Sequence, residues 1–153
     1  MKTRELTSDG VPKESWDRIH TLAVAYANLS LGKSRQRIER TRQKMLRLLR
    51  DLEYRFGERP SLVATRSDYV KPTAYREKLL LRAFGLAKRR RDRPNMVFVS
   101  SSLASLYVED IGNVTEGARW LKELDAALSA YPDALEKRTY RSLLKQLRDM
   151  RSH

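Results

Sequence analysis

Lys33, Arg37, Arg40, Lys44 and Arg47 recur at steps of four, three, four and three residues, the spacing that lines side chains along one face of a helix. Arg35, Arg42 and Arg50 widen that face, and the eighteen residues from Lys33 to Arg50 hold eight basic side chains against one acidic one, Glu39. Guanidinium and ammonium groups in such a row bind anions, either the phosphates of a nucleic acid or the carboxylates of an acidic protein surface. A solvated outer face is the competing reading, since arginine is a good helix former. The imbalance of sign argues against it, because unpaired like charges at this spacing destabilise a helix by roughly 0.2–0.5 kcal/mol per pair. A second run, Lys88, Arg89, Arg90 and Arg91, stands just ahead of Pro94, where a helix is expected to end. Cations there offset the negative end of the helix dipole. Four in succession exceed that need and mark a second polyanion contact.

Groups suited to covalent or acid–base chemistry are sparse. With no cysteine there is no thiol nucleophile, thiolate zinc site or disulfide framework. His20 directly follows Ile19 and lies four residues after Trp16, at the edge of an apolar stripe, which makes it a partly buried structural residue. Arg148 and His153 have an R-x4-H spacing that resembles the motif of an all-helical class of ribonucleases. That resemblance implies Arg148 holding a scissile phosphate and His153 acting as acid or base. Ser100, Ser101 and Ser102 have no adjacent base to activate them. Glu109 and Asp110 lie near an expected turn, where solvated capping is the usual use of such residues. The chain is therefore expected to be non-enzymatic and to carry no metal or cofactor.

A row of cations needs a scaffold. At 153 residues the chain has the size of one ordinary domain, and 41% hydrophobic residues against 33% charged argue for a folded body despite a net charge of +13. The longest apolar runs fall short of the roughly 20 residues that span a membrane, and "MKTRELTSDG" lacks the apolar core of a signal peptide. A soluble, cytoplasmic protein with no membrane partner is expected. Residues 1–12, ending in Gly10 and Pro12, read as a flexible arm, with one domain over 13–153.

Apolar periodicity supplies the helices. Trp16, Ile19, Ala23 and Tyr26 make the stripe of a first helix stopped at Gly32, and Ile38, Met45, Leu49, Leu52 and Phe56 that of a second, broken by Gly57 and Pro60. "SLVAT" (61–65) and "MVFVS" (96–100) are short enough to be buried strands, but two strands of about five residues make a marginal sheet, so helix is preferred. Leu62, Ala64 and Tyr69 then belong to a third helix, and Leu79, Leu80, Ala83, Phe84 and Ala87 to a fourth. Asn95 is expected to cap a fifth, "IGN" (111–113) turns into a sixth, and Leu143, Leu144 and Leu147 mark a seventh.

The parts recur. "GERP" (57–60) and "RDRP" (91–94) each close a long helix and open a shorter one, and their prolines lie 34 residues apart. That period, with "SSLASLYVEDIGNVTEGARWLKELDAAL" within it, resembles the tetratricopeptide repeat over about residues 14–132, with "VED" as an insertion before a turn. The resemblance implies an all-α fold: three antiparallel helix hairpins in a right-handed stack, plus a C-terminal capping helix. A generic helical bundle has the same secondary structure. In the repeat family the first helix of each hairpin lines a groove for another protein's peptide or helix. Here that implies a groove built from Trp16, Tyr26, Tyr69, Phe98, Ser101, Ser105 and Tyr107, with the basic row on the outer surface. The expected function is an adaptor or partner-neutralising protein that binds a protein with an acidic surface. RNA or DNA binding through residues 33–50 and 88–93 is the alternative, and the Arg148–His153 ribonuclease a second one.

Overall fold

The computed structural model describes residues 7–32 and 34–152. Seven α-helices and one π-helical segment make up the architecture of the described residues: α1 Lys13–Ser30, α2 Arg35–Phe56, α3 Pro60–Ser67, α4 Thr73–Arg89, α5 Arg93–Ser105, the π-segment Leu106–Ile111, α6 Val114–Ala130 and α7 Ala134–Arg151. The fold is all-α. Links of two to five residues fold successive helices onto one another, and α3 touches α5 and α5 touches α7, an arrangement compatible with a helical-repeat fold.

Both ambiguous apolar runs are helical. Pro60 occupies the first position of α3, where its missing N–H is harmless, and Pro94 lies in the first turn of α5. The cap of α5 differs from expectation. Asp92, not Asn95, is the N-cap and its carboxylate accepts the Asn95 backbone N–H. Asn95 sits buried inside the first turn, and its side-chain amide donates to Asp92 Oδ2 at 2.7 Å. Tyr69, assigned from sequence to the third helix, lies just past its end in the link to α4.

The core has two parts. Ile19 of α1, Met45, Leu48, Leu49 and Leu52 of α2, Leu62 of α3 and Tyr69 form one. Residues from α3 to α7, including Val63, Phe84, Leu103, Trp120, Leu124, Leu143 and Leu147, form the other. The eight-residue α3 joins them, since neighbours Leu62 and Val63, about 100° apart around the helix, enter different clusters. Residues 7–12, expected within a loose arm, are anchored to the same seam. Val11 is fully buried, and Asp9 Oδ2 accepts the Ser61 N–H at 2.8 Å, capping α3 from a distant part of the chain.

"VED" (108–110) lies within the π-segment. The π-segment widens the turn and keeps Leu106, Tyr107 and Val108 inside while Glu109 and Asp110 face solvent. Gly112 then closes it with a left-handed φ of 74°, which a glycine adopts without strain. Two other glycines make opposite demands. A Cβ on Gly117 would come within 2.8 Å of Val108 Cγ2, whereas one on Gly85, within α4, would meet nothing. Gly85→Ala is expected to stabilise the fold by about 0.5–1 kcal/mol through helix propensity. Gly117→Ala is expected to destabilise it, because overpacking of roughly 1–3 kcal/mol exceeds the same gain. Urea unfolding of the two variants checks the opposite signs.

Candidate anion-binding interface

The basic row stands on α2, and the inward side of that helix determines where it points. Met45, Leu48, Leu49 and Leu52 are buried, with Ile38 and Phe56 partly so, which turns Arg37, Arg40, Lys44 and Arg47 outward. All four are exposed, as are Arg35 and Arg50. Lys33, the first residue of the expected row, lies outside the described residues. Among the described residues no carboxylate pairs with Arg37, Arg40, Lys44 or Arg47. The acid nearest in sequence is already engaged: Glu39 accepts from Arg42 Nε at 2.9 Å and Nη2 at 2.6 Å, and from Gln43 Nε2 at 3.0 Å. Those hydrogen bonds, Arg42's foremost, pull the Glu39 carboxyl down to about 2. Arg42 also donates to the Tyr69 carbonyl, so it belongs to the scaffold. Asp51 shares a shallow depression with Arg18, Lys44 and Arg47 without pairing with either α2 cation.

Other acids are likewise spent on structure. Glu53 meets Arg66 Nη1 at 3.0 Å across α2 and α3, and burial pushes its carboxyl up despite that partner. Asp110 faces Arg76, Glu58 takes Arg82 and Glu116 takes Arg119. None of these carboxylates pairs with the α2 row. Lys88, Arg89, Arg90 and Arg91, at the end of α4, are exposed too. Arg89 Nε donates to the Gly85 carbonyl. Sequence reasoning singled out these two stretches and missed a third, since Lys137, Arg138, Arg141, Lys145, Arg148 and Arg151 are all exposed on α7. Their recurrence at three and four residues was the available signal.

The expected groove set is divided. Trp16 and Phe98 line one cleft of about 510 Å³ between α1, α3 and α5, together with Ser61, Asp68 and Tyr131. Tyr26 and Tyr69 instead pack edge to face at 5.2 Å, with Tyr69 buried. Tyr107 lies in the larger core, where burial and the neighbouring Glu77 push its hydroxyl up to about 12. Ser101 donates to the Glu136 carboxylate, and Ser105 to Glu109 at 2.6 Å.

Comparison with protein-family models, curated proteins and solved structures finds no match for this chain.

His20 is exposed, not partly buried as expected, because Ile19 takes the inward position and the next residue turns about 100° away. Arg148 is exposed on α7, and His153 lies outside the described residues. The Ser100 hydroxyl donates to the Met96 and Val97 carbonyls, and that of Ser102 to Phe98. Among the described residues no helix is long and apolar enough to cross a membrane, and no cluster of three or more potential metal ligands occurs. A direct check on the bookkeeping of charge is the Glu39 carboxyl. Its NMR titration midpoint is expected near 2, and Arg42→Gln is expected to return it toward the ordinary 4.5.

Proposed function

We propose that this protein is a non-enzymatic helical-repeat adaptor, three hairpins in a tetratricopeptide-like right-handed stack closed by α7, that docks an acidic protein partner on the exposed face of α2. The observation carrying this reading is the unpaired state of Arg37, Arg40, Lys44 and Arg47 on a helix whose Glu39, the acid within their row, is engaged by Arg42 and Gln43. Cations three and four residues apart repeat at about 5 Å along the axis. Carboxylates on the face of another helix repeat at the same interval, so a straight row on α2 matches an acidic helix over several turns. Tyr54, 92% exposed on the same helix, offers the aromatic contact that often anchors such interfaces beside arginine.

A second reading is phosphate-backbone binding, favoured by the net charge of +13 and by the additional exposed cations on α7. One titration separates the two. An acidic helical peptide, mixed-sequence RNA and duplex DNA are each titrated across a salt series with the wild type and with Arg37→Glu/Arg40→Glu. The adaptor reading expects peptide binding that persists at physiological salt and falls at least roughly tenfold in the double variant, about 1.4 kcal/mol. Tight nucleic-acid binding with a steep salt slope, lost in the same variant, would transfer the function to the second reading.

A further inference from the structure

The turn between α4 and α5 carries an anomaly of backbone and an anomaly of charge. Arg91 has φ of 53°, in the left-handed region. Its N–H donates to the Lys88 carbonyl at 3.2 Å and the next N–H, from Asp92, to Ala87 at 2.9 Å. This is the helix-ending pattern in which the left-handed position normally belongs to glycine, because a Cβ there is crowded. Here the position holds an arginine, in a strained conformation of the kind that persists where the side chain is needed.

That side chain lines a cavity. Lys88, Arg91 and Arg93 contribute its cations, and all three are exposed. Its apolar wall is Met96 on α5 with Ala126, Ala127 and Ala130 on α6, and Glu123 is the single carboxylate on its lining. The volume is about 280 Å³, near the lower end of small-ligand sites. Three methyl-sized side chains on α6 leave the space open, and one acid cannot answer three cations. A neighbouring cavity shares Arg91 and Arg93 but also holds Asp9 and Asp92. Both carboxylates there are already engaged, with the Ser61 N–H and with Asn95.

We infer that the cavity between the α4–α5 turn and α6 binds a small amphiphilic anion, with a phosphate or carboxylate head between Lys88, Arg91 and Arg93 and a short apolar body against Met96 and the α6 alanines. Neither half of the site is sufficient alone: the cations without the alanine wall would be a surface for any polyanion, and the wall without them a packing defect. The site is separate from the α2 row and does not depend on it.

The test is titration of the full chain with hexyl phosphate, hexanoate, inorganic phosphate and hexanol, followed by the backbone amide signals of Ala127 and Ala130. Saturable shifts are expected with hexyl phosphate or hexanoate, and the comparison of those two identifies the preferred head. Inorganic phosphate and hexanol are expected to bind at least roughly tenfold more weakly. Ala126→Leu, at an exposed helical position, fills the space and is expected to cut affinity at least tenfold without lowering the unfolding midpoint. Arg91→Gly is expected to weaken binding while raising that midpoint, a split that a merely structural arginine would not produce. Arg37→Glu/Arg40→Glu is expected to leave the affinity unchanged, which keeps this result separable from the fate of the α2 interface. Equal affinity for hexyl phosphate and inorganic phosphate, no shifts with either amphiphile, or full binding by Ala126→Leu would overturn the inference.

Discussion

The rotation of α2 about its own axis is the constraint from which the functional reading descends. Met45, Leu49 and Leu52 are essentially inaccessible to solvent, and truncating a single buried leucine of this kind costs about 2–5 kcal/mol. Repulsion between neighbouring cations on its exposed surface is worth only about 0.2–0.5 kcal/mol per pair. Burial therefore decides the orientation, and the cations are carried outward whether or not a partner waits for them. A helix of α2's composition gains nothing by turning over, because every other orientation would bury guanidinium groups against α1 and α3.

Positioning that helix falls to short, shared pieces. α3 contributes Leu62 to one hydrophobic cluster and Val63 to the other, so the α1–α2 pair is coupled to the remaining helices through eight residues. Asp9 reinforces the seam by accepting the Ser61 N–H, and Asn95 donates to both Asp9 and Asp92, tying the start of α5 to the same stretch. The α4–α5 turn, with its exposed cations and its left-handed arginine, grows directly out of this network.

Much of the secondary structure was legible from residues alone. Period-3.6 stripes located the long helices, and Pro60 and Pro94, as helix-starting prolines, agree with the helical reading of "SLVAT" and "MVFVS". Cap identity was less legible, since Asp92 and Asn95 are both good caps and only the path of the turn selects one. The left-handed Arg91 left no trace, because the run of basic residues contains no glycine to announce such a turn. Aromatic side chains were the weakest guide. Tyr26, Tyr69 and Tyr107 satisfy a groove and a core equally well in sequence, and only their neighbours in space assign them to packing. His20 failed for a related reason: one step along a helix separates Ile19, 3% exposed, from a solvent-facing position.

The central claim is that the α2 cations stand unneutralised in the folded protein, and the response of stability to ionic strength addresses it directly. Urea unfolding is measured at about 0.01 M and about 1 M sodium chloride, where the screening length falls from about 30 Å to about 3 Å. The wild type is set beside Arg40→Gln/Arg47→Gln. If the row is unpaired, the wild type gains stability with salt, and the variant is more stable than the wild type at low salt with a smaller salt dependence. A variant that is less stable at low salt would mean that these arginines are held by carboxylates of their own chain, and the proposed interface would be lost.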